Sequence, residues 1–523
     1  MSFAKVYSAE HVLLNASIIT IEVDLSRGLH LFSIVGLPDK GVAESKDRVS
    51  AAIKNSGFVS PKSKNQKVVV SLAPADIKKE GPVFDLAIAL AYLLAAEDIA
   101  FDPKEKLFLG ELSLDGKLRK IKGVLPQVIE AKKKGFKEVF LPRENSEEAA
   151  LICDIDIFGA DTLLEVIHHV NIKKLPNTGK EIPILISPTP QTIVRSKERT
   201  YQTNICDIRG QETAKRGLEI AAAGGHNIAL YGPPGTGKTM LAKAFHGLLP
   251  ALSFQEVLEV TSIHSIAGTL KEGLVTEPPL RAPHHGATHA AMVGGGSSPR
   301  PGEITLAHYG VLFLDELPEF DRRVIDSLRQ PLEDRTINVS RSRASAYFPA
   351  NFILIATMNP CPCGNLGLKQ RECSCSVREL HQYSKKISGP IIDRIDMWIE
   401  VPFIEYTKLV GDTNESETTE DIRERVVRTR AIQKDRFAKL QMNILFNSEI
   451  PAKNIIETIA IEKAAEELLV SSAATLELSA RSYHRVLKLA RTIADLDQQE
   501  KIKGKHILEA LQYRPKRNGS DSQ

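Results

Sequence analysis

The stretch NIALYGPPGTGKTMLAKAF, residues 227–245, constrains the fold more than any other part of the chain. At its centre stand Gly232, Pro233, Pro234, Gly235, Thr236, Gly237, Lys238 and Thr239, the spacing Gly-x4-Gly-Lys-Thr. An apolar run precedes them and a helical run follows, which is the context a P-loop needs. The glycines let backbone N–H groups approach phosphate oxygens, and the helix N-terminus adds a favourable dipole. Lys238 is placed to reach the β- and γ-phosphates of ATP, and Thr239 to offer its hydroxyl to Mg²⁺. A glycine-rich turn without a ligand is the competing reading, and both spacing and context count against it.

The partner motif is GVLFLDEL, residues 310–317, four apolar strand residues followed by two carboxylates. Asp315 is expected in the Mg²⁺ shell, and Glu316 as the general base that polarises the attacking water. An apolar run ending in Asp-Glu is common on its own. It gains weight from its place downstream of the P-loop in one α/β block.

A further strand, NFILIATMNP (351–360), ends in Asn359. That side chain is positioned either to orient the lytic water, as the sensor-1 residue of AAA+ ATPases does, or to cap the turn before Pro360. SGPIIDRIDMWIEV (388–401) offers Arg394 and resembles the arginine-finger stretch of the same superfamily, whose charge acts on a neighbouring subunit. LSARSYHRV places Arg481 one turn into a helix, as sensor-2 arginines sit. For each arginine the alternative is a solvated salt bridge.

At 523 residues the chain exceeds one hydrophobic core and is expected to form two to four domains. Lys plus Arg number 68 and Asp plus Glu 65, so any nucleic-acid surface must be local. The first residues lack the apolar core of a secretion signal. FDLAIALAYLLAA (84–96) is too short to span a bilayer, and a cytoplasmic location is expected. The expected organisation is an α/β domain over 1–170, a proline-containing linker over 171–200 and an ATPase core over 201–405. An acidic connector (406–420), a helical lid (421–514) and a frayed tail (515–523) complete it.

Between the P-loop and Asp315 lies a glycine-rich insertion, RAPHHGATHAAMVGGGSSPRPGEITLAHYG (281–310). After Asp315, PLEDRTINVSRSRASAYFPANFILIAT reads as a β-hairpin, turning near Arg341–Ala344, before the sensor strand. These two elements resemble the AAA+ group that contains magnesium-chelatase ATPase subunits and MCM helicases. In that group a helix-2 insert and a pre-sensor-1 hairpin point into the pore of a hexameric ring. RAPHH, GGGSSPRPGEITLAHYG, LRQPLED and MNPCPCG, in this order, resemble the YifB/ComM family of magnesium-chelatase-like ATPases. The resemblance runs from SIVGLPD (33–39) to the helix of Arg481. It implies a homo-hexameric, ATP-driven DNA motor that promotes branch migration when imported single strands recombine with the chromosome in natural transformation. Recombination proteins are implied as partners. The alternative is a chelatase-type remodeller acting on a protein partner.

His284, His285 and His289 read as hydrogen-bonded loop histidines rather than metal ligands. Arg300, Arg341 and Arg343 are the candidate DNA contacts, because positive tips on a pore element grip a phosphate backbone without reading sequence. Exposed turn arginines are the competing reading.

The first domain resembles the proteolytic domain of Lon and its relative in RadA, through EGPVFDLAIALAYLLAA and GELSLDGKLRKIKGVLPQVIEAKKKGFKEVFLP. Where the protease carries its nucleophilic Ser, Val83 follows Gly81-Pro82, and the base Lys falls at Leu125. Peptide hydrolysis by that dyad is therefore excluded. Lys62, Lys64 and Lys67 form either a basic binding loop or a solvated charged one, and Lys132–Lys134 reads as the wet face of a helix.

Four of the six cysteines, Cys361, Cys363, Cys373 and Cys375, cluster in CPCGNLGLKQRECSC. Four thiolates are the complement of a closed structural Zn²⁺ site, although Cys-x-Cys is tighter than the usual Cys-x2-Cys. Free thiols are the other reading, and a disulfide is disfavoured in a reducing compartment.

Overall fold

The computed structural model describes residues 3–171, 185–194, 203–270, 273–295, 300–341, 344–368, 371–404 and 417–515. Most of the expected linker, connector and tail lies outside the described residues, as does Arg343. The chain divides into two compact units. One is Met1–Arg195 with Phe254–Val275, and the other is Ser196–Ser253 with Thr276–Gln523.

The first unit is built on a seven-stranded mixed sheet. Its strands are β1 (Phe3–Val12), β2 (Asn15–Arg27), β3 (Leu31–Val35), β4 (Gln66–Ala73), β5 (Lys106–Phe108), β6 (Glu138–Pro142) and β7 (Asp156–Ala160). Their spatial order is β3-β4-β2-β1-β5-β6-β7. β1 and β2 form an antiparallel hairpin with Val12 opposite Asn15, so Leu13 and Leu14 make a two-residue turn, with Leu13 at φ +58°. β2 pairs antiparallel with β4, whereas the β1–β5, β5–β6 and β6–β7 pairs are parallel. Across those parallel strands Phe108 stacks on Phe140 and Phe140 on Phe158, with centroids 5.1 and 4.9 Å apart.

The apolar run at 84–96 is a core helix, Asp85–Ala95, in which every residue but Leu94 is buried. Its Asp85 carboxylate accepts from Arg48 Nε at 2.7 Å. No described helix is long and apolar enough to cross a membrane. Val83 and Leu125 are both buried in this core. Lys62 pairs with Asp47 at 2.6 Å and Lys132 with Asp154 at 3.0 Å, ordinary surface ion pairs.

Phe254–Ala267, inside the stretch expected to be the ATPase core, belongs to this first unit. Leu258 and Leu274 pack against its hydrophobic core, and Gly123 N–H donates to Ser265 Oγ at 3.0 Å.

The second unit holds a five-stranded parallel sheet. Its strands are β8 (Ile228–Tyr231), β9 (Leu280–Arg281), β10 (Val311–Leu314), β13 (Ile353–Met358) and β14 (Met397–Glu400), ordered β9-β10-β13-β8-β14. Every residue of VLFL and ILIATM is buried, as expected for strands covered on both faces. β11 (Thr336–Arg341) and β12 (Ala344–Pro349) form a separate antiparallel hairpin with Arg341 opposite Ala344.

Helices Thr419–Lys439, Lys463–Thr475, Ala480–Leu496 and Gly504–Gln512 follow the sheet. The first of them docks on helix Glu212–Gly224, where Gln433 Nε2 donates to Ala223 O at 3.0 Å. Inside this bundle Asp495 accepts from Arg436 Nη1 at 3.0 Å and Asn447 Nδ2 at 2.8 Å, and pairs with Arg491 at 2.9 Å.

Candidate nucleotide site

In parallel α/β sheets the loops at the carboxyl ends of the strands form the binding crevice. Here β8 leads into Gly232–Gly237, β10 into Asp315–Glu316 and β13 into Asn359. Register brings these ends level, since Leu230 lies opposite Thr357 and Leu314 opposite Ala356. Gly235 and Gly237 have φ of +78° and +88°, a backbone region that glycine enters without a Cβ penalty. Helix Lys238–Leu248 then starts from Gly237, which carries no side chain to cap the first N–H groups. Those N–H groups suit an anionic phosphate.

Lys238 is buried. Its ammonium donates to the Gly232 and Pro233 carbonyls, each at 2.7 Å, and to Asn359 Oδ1 at 3.1 Å. Burial lowers its pKa from the usual lysine value, while the charges of Asp315 and Glu316 oppose that shift. The Thr239 hydroxyl lies 3.3 Å from Asp315 Oδ2. A hydroxyl and a carboxylate are hard oxygen donors, and this pair fits Mg²⁺, which is held by few protein ligands beside substrate phosphates.

The sequence reading missed Thr357. Its hydroxyl donates to Asp315 Oδ1 at 2.5 Å and accepts from Glu316 N–H at 2.9 Å. Glu316 itself sits at φ +56°, so the turn after Asp315 is held from β13. A cavity of about 880 Å³ adjoins the end of β8, lined by Gly210, Gln211, Tyr231, Trp398, Glu400 and Tyr513. Its size suits a small-molecule ligand. The Gln211 side chain donates to Pro402 O at 2.7 Å.

Lys238, Thr239, Asp315, Glu316 and Asn359 thus come together. Arg394 and Arg481 meet each other at a different carboxylate, Glu333, which no sequence motif marked. Arg394 Nη2 donates to Glu333, Arg394 Nη1 donates to Pro390 O at 2.8 Å, and Arg481 lies 3.3 Å from Glu333 Oε1. Burial raises the Glu333 pKa, but the charges of Arg481 and Arg394 outweigh it and hold the carboxyl below its ordinary value. The turn of Arg394 is anchored by Asn227, whose side chain donates to Arg394 O at 3.2 Å and accepts from Leu354 N–H at 2.9 Å.

Of the candidate DNA contacts, Arg300 is exposed in a short strand, Arg300–Pro301, paired with Gly294–Gly295. Arg341 is described by its backbone, at the end of β11. His284 Nδ1 accepts from Gly286 N–H at 3.1 Å, a loop hydrogen bond. The four clustered cysteines lie with their sulfurs within 4.8 Å of one another, a potential metal-ligand set.

Three family descriptions match the chain. "Magnesium chelatase, subunit ChlI" covers residues 204–409, "Subunit ChlI of Mg-chelatase" covers 21–145, and the ChlI C-terminal description covers 416–514. The chain is 42% identical to competence protein ComM of Haemophilus influenzae over 518 residues, 98% of each protein. It is 41% identical to YifB of Escherichia coli, over 98% of this chain and 97% of that one. A shorter similarity, 28% over 162 residues, links it to Lon protease 2 of Bacillus subtilis, covering 29% of this chain and 28% of that protein. With its P-loop geometry in place and relatives matched along nearly its whole length, the chain belongs to the YifB/ComM family of magnesium-chelatase-like AAA+ ATPases.

Proposed function

We propose that the protein is an ATP-driven DNA motor that works as a homo-hexamer and supports branch migration of imported single strands during natural transformation. The observation that carries the reading is the linked set Lys238–Asn359 and Thr239–Asp315–Thr357–Glu316 at the ends of three adjacent parallel strands. In this set Gly232–Thr239 cradles the phosphates and Thr239 with Asp315 holds Mg²⁺. Glu316 takes a proton from the attacking water, and Asn359 ties that water's surroundings to Lys238. The ion supplies charge neutralisation between the β- and γ-phosphates when bound. The cavity beside Tyr231 takes the base.

Arg394 and Arg481 act on nucleotide at a subunit boundary. Arg300, Arg341 and Arg343 contact DNA phosphates. The full-length similarity to a protein named for competence favours DNA as the partner over a protein substrate.

ATPase assays with and without DNA test the reading. Turnover is expected to rise on adding forked or single-stranded DNA. Lys238→Ala is expected to lose nucleotide binding, and Glu316→Gln to bind ATP while hydrolysing it about 10²–10⁴-fold more slowly. Indifference to every DNA together with stimulation by a protein partner would instead establish the remodeller.

A further inference from the structure

The cysteine cluster has the dimensions of a metal site. Cys361, Cys363 and Cys373 sulfurs lie 3.4, 3.7 and 3.6 Å apart pairwise. Zinc–sulfur bonds of about 2.3 Å place the corners of a regular tetrahedron about 3.8 Å apart, close to this spacing. A disulfide would need about 2.0 Å between two sulfurs. A multi-iron cluster binds its thiolates to different irons and spreads them wider than one shared ion does. Leu366 N–H lies 3.4 Å from Cys361 Sγ, a donor of the kind that stabilises a metal-bound thiolate. Cys361 is fully buried and the other three partly so, which leaves the site reachable by an ion from solvent.

The loop is also fitted to the nucleotide site. It begins two residues after Asn359, the partner of Lys238. Gly364, at φ +79°, approaches the P-loop so closely that a Cβ there would stand 2.7 Å from Pro234 Cδ. Beyond Cys375 the chain enters helix Val377–Ser384 through a capping box of Ser376 and Glu379, and Tyr383 on that helix donates to Asn359 O at 3.3 Å. An ion at the four sulfurs would tie the two ends of this excursion together directly beside Asn359 and Pro234.

We propose that Cys361, Cys363, Cys373 and Cys375 bind one zinc ion as a closed tetrathiolate, and that the ion fixes the loop wall against which the P-loop rests. The four thiols enter as thiolates and release their protons to solvent, with no change of oxidation state. The second half rests on the reading of Gly232–Thr239 as the nucleotide site, whereas the first stands without it.

The full chain, incubated anaerobically with zinc chloride and freed of excess metal, is analysed by elemental mass spectrometry. About one zinc per chain is expected, falling below about a quarter in Cys373→Ser/Cys375→Ser and unchanged in Cys153→Ser/Cys206→Ser. Iron in place of zinc, or less than about a quarter equivalent in the wild type, overturns the site whatever the variants do. Binding of a fluorescent ATP analogue is then compared before and after chelator treatment, with an expected loss of affinity of about tenfold. Equal affinity overturns the link to the P-loop. Lys238→Ala should keep its zinc while losing the nucleotide, which separates the fate of the metal site from that of the nucleotide reading.

Discussion

At Thr357 a single hydroxyl oxygen serves both acidic residues, donating to Asp315 and accepting from the Glu316 backbone. Thr357→Val keeps the side chain's shape in a buried strand and removes both bonds. ATP affinity is expected to stay within a few-fold, while turnover falls by about 10–100-fold and the Mg²⁺ requirement rises, read by steady-state ATPase against Mg²⁺ concentration. The sequence made the P-loop and the Asp-Glu pair legible because their chemistry is written in adjacent residues. Thr357 was invisible for the opposite reason. A threonine inside FILIATM reads as a strand residue, and its role depends on a carboxylate 42 positions earlier. Glu333 was hidden in the same way, since the arginines it holds lie far along the chain at 394 and 481.

The elements carry buried charge that folding has to satisfy. In the C-terminal bundle Asp495 is the shared acceptor of Arg436, Arg491 and Asn447, and both Asp495 and Arg491 are 1% exposed. Asp495→Ala takes this carboxylate from two guanidinium groups, leaving Arg491 the Glu500 carbonyl and Arg436 the Asn447 side chain. It is expected to destabilise the second unit by about 3–5 kcal/mol, measured by urea unfolding. In β1, burial raises the Glu10 carboxyl to about 8, helped by the charges of Glu80 and Asp39 and opposed by the Glu80 N–H bond. A raised carboxyl pKa favours the folded state while the group stays protonated. That contribution is complete below about pH 4.5 and is lost as pH climbs to about 8. Over that window the wild type is expected to lose several kcal/mol more than Glu10→Gln, order-of-magnitude about 3–5 kcal/mol, by denaturant titration of the two proteins in parallel. Strand and helix positions were readable from periodicity. These ionic locks were not, because pattern shows which face a residue occupies and not which partner arrives from another element.

At the scale of the whole molecule, Arg394 and Arg481 share the Glu333 carboxylate, and on the proposed reading, in which both act on nucleotide at a subunit boundary, turnover depends on the assembly. Arg394→Ala is expected to leave nucleotide affinity near wild type and to lower turnover by about 10³-fold or more. Equilibrium binding and ATPase assays at rising protein concentration check this, and wild-type turnover in the variant would remove Arg394 from the reaction. The prolines of 171–200 predict a linker there, and the first unit's leading segment ends at Arg195. The assignment of Phe254–Ala267 was not legible, because residues 260–266 are buried on every side of the helix and the local sequence is silent on which unit covers them.

That helix has a consequence for biosynthesis. The chain leaves the second unit after Ser253 and returns at Thr276, where Leu252 N–H meets Thr276 O at 3.4 Å. On a ribosome, domains tend to fold in order of emergence. The first unit cannot close over Gly123 and Leu258 until residue 275 has left the exit tunnel, by which time the P-loop strand and helix are already out. A nascent chain stopped near residue 195 should therefore be readily cut by protease, and one stopped well beyond 275 should be protected. The two units are thus interleaved along the chain, and a gene fragment ending near residue 195 lacks the helix whose Ser265 accepts from Gly123 N–H.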